Sequence, residues 1–175
     1  MAEPAPGAAA ETPWLTASSA LWRRYSDTVN ARLVARWLPG PCECVLKTDL
    51  YDEAVGPGLY DLLAARARLV VGMDVATEVL CAARARHLGL VAVQADVRRL
   101  PFTAGTFDAI VSNSTLDHLP TASEVAAALV ELARSLKLGG RLLLTLDNPA
   151  NPLIGLRNRL PQRLLMGSGL TPYPM

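Results

Sequence analysis

Apolar positions recur along this chain in two alternating rhythms. From residue 17 to 38, Leu21, Tyr25, Val29, Leu33 and Trp37 fall at helical spacing. Ser18 or Ser19 is placed to cap this helix, and Pro39-Gly40-Pro41 ends it. A short strand-like run follows at about 43–48, then a helix over 59–67. Leu69-Val70-Val71-Gly72-Met73-Asp74 is a second strand, and 76–88 a helix starting near Thr77 and stopping at Gly89. Residues 90–96 give a third strand. Phe107–Asn113 gives a fourth, after a turn at Ala104-Gly105. The helix over 121–137 is capped near Thr121 or Ser123 and stops at Gly139-Gly140, and 141–147 is a fifth strand. Strands alternating with helices predict right-handed βαβ units: an α/β, Rossmann-like, doubly wound and mostly parallel sheet of about five strands with helices on both faces.

The rhythm is absent at both ends. Residues 1–16, rich in Ala, Pro and Glu at the start, read as a disordered leader without the n- and h-regions of a signal peptide. Residues 148–175 read as a basic tail. Within it Leu153 to Met166 forms one amphipathic stretch interrupted at Pro161, carrying Arg157, Arg159 and Arg163, before a linker-like end. The expected domain is therefore 17–147.

Composition narrows the function classes. A formal net charge of +1 gives no global reason to bind nucleic acid or a membrane surface. Although 51% of residues are hydrophobic, no charge-free run approaches the roughly 18–20 residues of a membrane span. Three cysteines (Cys42, Cys44, Cys81) and two histidines have no zinc-like spacing, so no metal site is expected. Reduced thiols fit a cytoplasmic protein.

The candidate chemistry lies at the strand ends. In an open parallel sheet the ligand crevice lies beyond the carboxyl ends of the strands, which brings Asp49, Asp74, Asp96 and Asn113 to one rim. An acid ending the second strand can accept from both hydroxyls of a ribose. One ending the third can accept from the exocyclic amine of adenine, with Val97 packed on the ring. The bland alternative is that each acid caps the turn after it. Two successive acid-tipped strands, 22 residues apart, favour an adenosine ligand.

The succession Val71-Gly72-Met73-Asp74, Ala95-Asp96-Val97, Leu100-Pro101-Phe102, Phe107–Asn113 and Leu136-Lys137-Leu138-Gly139-Gly140-Arg141-Leu142 resembles class I S-adenosylmethionine-dependent methyltransferases. The likeness covers about residues 43–147 and leans to the branch that makes ubiquinone and menaquinone. It implies S-adenosyl-L-methionine as cofactor, a small-molecule methyl acceptor and in-line displacement of the methyl group. It also implies that Asp74, with Val75, holds the ribose, that Asp96 and Val97 hold the adenine, and that Asn113 borders the transfer site. His118 matches a histidine frequent in that branch, and no catalytic residue is assigned.

Two departures stand out. The family's first motif carries an acid and three close-spaced glycines. Here Lys47 stands in the acidic place, and Asp49, Tyr51 and Glu53 stand where the glycines belong. Gly56-Pro57-Gly58 offers a second registration, with an insertion. Gly56 and Gly58 would then restore a close approach to the ligand, Thr48 and Asp49 would face its methionine end, and Asp49 or Asp52 would pair with its ammonium group. The family also adds two strands after the fifth, and nothing after Asp147 reads as either. That leads to the expectation of a truncated chain, self-associating through an unfinished sheet edge.

Two other functions compete. A non-catalytic methyltransferase-like binding module or inactive fragment accounts for the altered loop, and ligand titration separates it from an enzyme. A short-chain NAD-dependent oxidoreductase also suits Asp74 and Asp96, but none of the four tyrosines has a lysine four residues later. The N-terminal helix either covers a substrate pocket or simply packs on the sheet.

Overall fold

The structure, a computed structural model, describes residues 17–38 and 40–146, with backbone alone for 17–25. The expectations for a leader over 1–16 and a tail over 148–175 therefore lie outside the described residues. Contacts divide the chain into Met1–Ser26 with Asn148–Met175, and Asp27–Asp147. Of the first unit only the opening turns of a helix are described. Everything below concerns the second.

The elements run α1 (Ala17–Trp37), β1 (Cys42–Thr48), α2 (Tyr51–Val55), α3 (Tyr60–Ala64), β2 (Ala67–Asp74), α4 (Thr77–Arg86), β3 (Val91–Gln94), β4 (Phe107–Asn113), a 3₁₀ turn (Leu116–His118), α5 (Ala122–Ser135) and β5 (Leu136–Thr145). The five strands form one parallel sheet in the order β3-β2-β1-β4-β5. Strand order reverses between β1 and β4, which is the switch point where such sheets take ligands. The period of two decides the layers. Val45, Val70, Ala109 and Val111 face α1 to α4, whereas Leu46, Val71, Met73 and Ile110 face α5. No helix among the described residues is long and apolar enough to cross a membrane. Nor do they contain a His, Cys, Asp or Glu cluster able to hold a metal.

Four boundary expectations are corrected. The segment read as a plain loop after β1 contains α2, and the helix expected over 59–67 shrinks to α3, because β2 extends back to Ala67. Ser18 and Ser19 lie inside α1, which begins at Ala17. Gly139-Gly140 does not stop α5. The helix passes into β5 at Leu136, and the two glycines sit where the register with β4 shifts between Phe107 and Ala109. Gly139, at φ +80°, supplies the left-handed backbone of that irregularity. At the other end of α5, Thr121 is its cap: its Oγ1 accepts the Glu124 N–H at 3.3 Å.

The sheet is pinned at its amino-terminal end by Asp108. Its Oδ2 accepts the N–H groups of Glu43 (2.9 Å) and Cys44 (2.8 Å), and its Oδ1 accepts Lys137 Nζ at 2.7 Å. The Lys137 ammonium and the Cys44 amide hold its carboxyl below the usual range. The opposite, carboxyl end carries the candidate site.

Candidate ligand site at the carboxyl ends of the strands

β1 delivers Lys47 and Thr48 to the rim, both buried. Thr48 Oγ1 donates to Ser112 Oγ (2.9 Å) and lies 2.6 Å from Thr115 Oγ1, so a small hydroxyl cluster joins the ends of β1 and β4. Asp49 then turns the chain with φ +64°, a left-handed value that an acid adopts more readily than most residues. Its Oδ1 accepts the Tyr51 N–H at 2.8 Å. Burial foremost raises the Asp49 carboxyl above its ordinary value, and Asp74 and Asp52 push the same way. The Tyr51 N–H and Lys47 oppose them.

Asp74, at the end of β2, faces this turn. Its Oδ2 accepts the Leu50 N–H at 3.0 Å and its Oδ1 the Ala76 N–H at 2.9 Å. A carboxylate has about four lone-pair sites, so two remain after these bonds. Leu50 is wholly buried and lies over Gly72, where an added Cβ would come within 2.5 Å of Leu50 Cδ2. The turn after β1 is thereby packed onto β2.

The expectation for Gly56 and Gly58 changes. Gly56 closes α2 with extended backbone, its N–H bonded to Asp52 O. Gly58 has φ +52°, and a Cβ there would stand 2.4 Å from Glu53 Oε1. The close approach that glycine permits is made by the chain's own Glu53 carboxylate. Glu53 (0% exposed) pairs with Lys47 (1% exposed) at 2.9 Å, and its Oε1 accepts the Leu59 N–H at 2.8 Å. Both residues stand out in the sequence as misfits. That they are partners is not legible there, because their contact depends on α2.

The third-strand pair divides. Asp96 holds Arg98 through both carboxylate oxygens, and this guanidinium keeps its carboxyl below the usual range. Arg98 also reaches Glu124. Val97 is 5% exposed and belongs to the core beside Leu46, Val71 and Met73, so its side chain is not free to cover a base as expected. An apolar side chain open at the end of β2 is Val75, which is 64% exposed.

Asn113 ends β4. It is 6% exposed, and its Oδ1 is buried with no hydrogen-bond donor among the described residues. It lines a cavity of about 250 Å³ with Asn30, Leu33, Val34 and Trp37 of α1, and with Ser112, Leu144 and Thr145 at the strand ends. The second half of α1 therefore does more than pack on the sheet. His118 is exposed at the end of the 3₁₀ turn. The structure thus brings Thr48, Asp49, Asp74 and Asn113 to one rim. An unbonded buried acceptor, a carboxylate with lone pairs to spare and an exposed valine fit the polar and apolar groups of an adenosine-type sulfonium ligand. The glycine cradle, filled by Glu53, does not add to that fit.

A family described as "Methyltransferase domain" matches residues 52–144, more than half of the chain. The chain is 37% identical over 123 residues to a demethylmenaquinone methyltransferase of Corynebacterium kroppenstedtii, covering 70% of this chain and 46% of that one. It is 36% identical over 123 residues to a malonyl-[acyl-carrier protein] O-methyltransferase of Herminiimonas arsenicoxydans, covering 68% and 43%. It spans less than half the length of these two curated relatives. Among solved structures, an S-adenosylmethionine-bound amino pentose methyltransferase, CalS10 of Micromonospora echinaspora, is similar with TM-score 0.55 and 25% identity, over 73% of this chain and 52% of that one.

Proposed function

The chain belongs to the methyltransferase-domain family, and from that premise we propose that it moves the methyl group of S-adenosylmethionine to a small-molecule acceptor. The observation that carries this reading is Asn113: a buried amide oxygen without a donor among the described residues, on the wall of a cavity at the switch point of the sheet. Buried polar atoms are rarely left unpaired, and one on a cavity wall is open to a ligand or an ordered water.

The bound sulfonium supplies an already activated methyl group, so the chain's work is orientation and the exclusion of water. On this reading Asp74 receives the ribose hydroxyls on the lone pairs that Leu50 and Ala76 leave free. Asp49 offsets the ammonium of the methionine end, from the buried position that raises its own carboxyl. Thr48 lies beneath that end. Val75 covers the adenine, and Asp96 meets its amine while sharing oxygens with Arg98. Gly56 and Gly58 shape the loop between α2 and α3 rather than touching ligand. Leu33, Val34, Trp37 and Leu144 give the acceptor cavity a mostly apolar wall. Its size suits a small, largely apolar acceptor whose O–H or N–H donates to Asn113 Oδ1.

Calorimetric titration with S-adenosylhomocysteine tests the reading, with Asp74→Ala and thermal melting run alongside. We expect binding to the parent protein and its loss in a folded D74A. No heat and no melting shift in the parent at millimolar ligand overturns the reading.

A further inference from the structure

Lys47 and Glu53 are the least expected residues of the site. Each is almost wholly buried, which a charged side chain rarely is unless paired. Burying an ion pair brings little net stability, because desolvation consumes most of the attraction. Such a pair therefore calls for a role other than holding the fold.

Its hydrogen bonds locate that role. Lys47 Nζ donates to the carbonyl of Asp49, the residue held at φ +64°. Glu53 takes the other side of the ammonium, and its second oxygen accepts from Leu59 across Gly58. One buried ammonium thus ties the left-handed turn after β1 to α2, and one carboxylate ties α2 to the entry of α3. In a loop of glycines the left-handed backbone costs nothing sterically. At Asp49 it carries a penalty, and the Lys47 bond to its carbonyl is placed to offset it.

We propose that Lys47 and Glu53 form a positioning pair that fixes the Asp49 turn, and hence the Asp49 carboxylate, in the shape that receives the cationic end of the sulfonium ligand. This rests on the function proposed above. The pair has a second consequence. Glu53 neutralises the Lys47 ammonium, which therefore does not cancel the negative charge of Asp49.

The test is the double variant Lys47→Met/Glu53→Gln, compared with the parent. The introduced methionine fills the lysine's volume and donates nothing to Asp49. The introduced glutamine retains an oxygen for the Leu59 N–H. Apolar replacement of a buried pair is often close to neutral, and the glutamine keeps the Leu59 bond, so the melting temperature is expected to stay near the parent's. Two readouts should nevertheless change. Exchange of the Tyr51 amide, measured without ligand, should accelerate about tenfold as the Asp49 turn loosens, while β4 amides do not change. Affinity for S-adenosylhomocysteine should fall by about tenfold or more. A double variant with parental Tyr51 exchange and parental affinity overturns the proposal and leaves the pair as a packing feature. If the double variant melts early, Tyr51 exchange is read against that of the β4 amides in the same variant: acceleration at Tyr51 beyond theirs supports the pair's hold on the turn, and equal acceleration throughout refutes it. A parent protein that binds no S-adenosylhomocysteine overturns the function and, with it, the ligand role of the pair. The exchange result shows separately whether the turn is held as described.

Discussion

Replacing Gly58 by alanine should be among the most damaging single-atom additions in this chain, and the structure says by how much. Two costs combine. The residue sits at φ +52°, where an L side chain costs about 1–2 kcal/mol. The new Cβ would also stand 2.4 Å from Glu53 Oε1 and 2.5 Å from its Cδ, so the carboxylate must leave the Leu59 N–H or Lys47. A buried group deprived of its partner costs about 1–3 kcal/mol, which brings the expected loss to about 2–5 kcal/mol. Gly105 is the internal control. It has φ +66° and nothing within 4 Å of an added Cβ, so Gly105→Ala carries the backbone cost alone, about 1–2 kcal/mol. Urea unfolding followed by far-ultraviolet circular dichroism gives both values from midpoints at a shared slope. If G58A and G105A agree to within about 0.5 kcal/mol, the Glu53 carboxylate does not occupy the space beside Gly58 and the account of the loop fails.

Three further outcomes follow from the same geometry. Arg134 and the Leu100 N–H hold the Glu131 carboxyl at about 2, against an ordinary 4.5. A carboxyl depressed on folding stabilises above its unfolded value and loses that contribution as pH falls through the folded one. Glu131→Gln should thus flatten the acid limb of stability between pH 4.5 and 2, and an unchanged limb refutes it. Thr121→Ala removes the cap of α5 and should cost about 1 kcal/mol in urea unfolding, with S-adenosylhomocysteine binding unaltered. Asn113→Leu removes a buried oxygen that has no donor among the described residues, so stability should rise by about 1 kcal/mol while, on the function proposed above, methyl transfer is lost. A variant that is both less stable and fully active contradicts the place given to Asn113.

Much of the sheet is legible in the sequence because burial on two faces writes long β-branched and leucine runs. β4, Phe107–Asn113, matches its sequence reading residue for residue. The acids that end β1, β2 and β3 can be placed at one rim from strand direction alone. Their partners cannot. Asp96 carries the same signature as Asp74, yet one is bound by an arginine two residues on, while the other is met by the Leu50 amide of the loop after β1 and by its own Ala76 amide. Val97 reads as free because it follows a strand, but the chain turns back there and buries it against β1 and β2. α2 escapes notice because Tyr51–Val55 is too short for a period to show, and that hides the Lys47–Glu53 contact. Gly139-Gly140 reads as a helix stop in any local scheme, and only pairing with β4 turns it into a strand irregularity. Asn113 has a location from sequence, but its unbonded oxygen becomes visible only with the side chains in place.

The packing of Leu50 onto Gly72 bears on how ligand is admitted. Loops that receive ligands commonly open on their own, at free energies well below that of global unfolding. Here Leu50 is wholly buried against a central strand and its amide is bonded to Asp74. To lift Leu50 out is to uncover the sheet. Its amide should exchange with those of the core, and the entropy of ordering that residue is spent during folding rather than at binding. A ligand would meet a finished surface, and discrimination among ligands would be settled by shape and charge already in place.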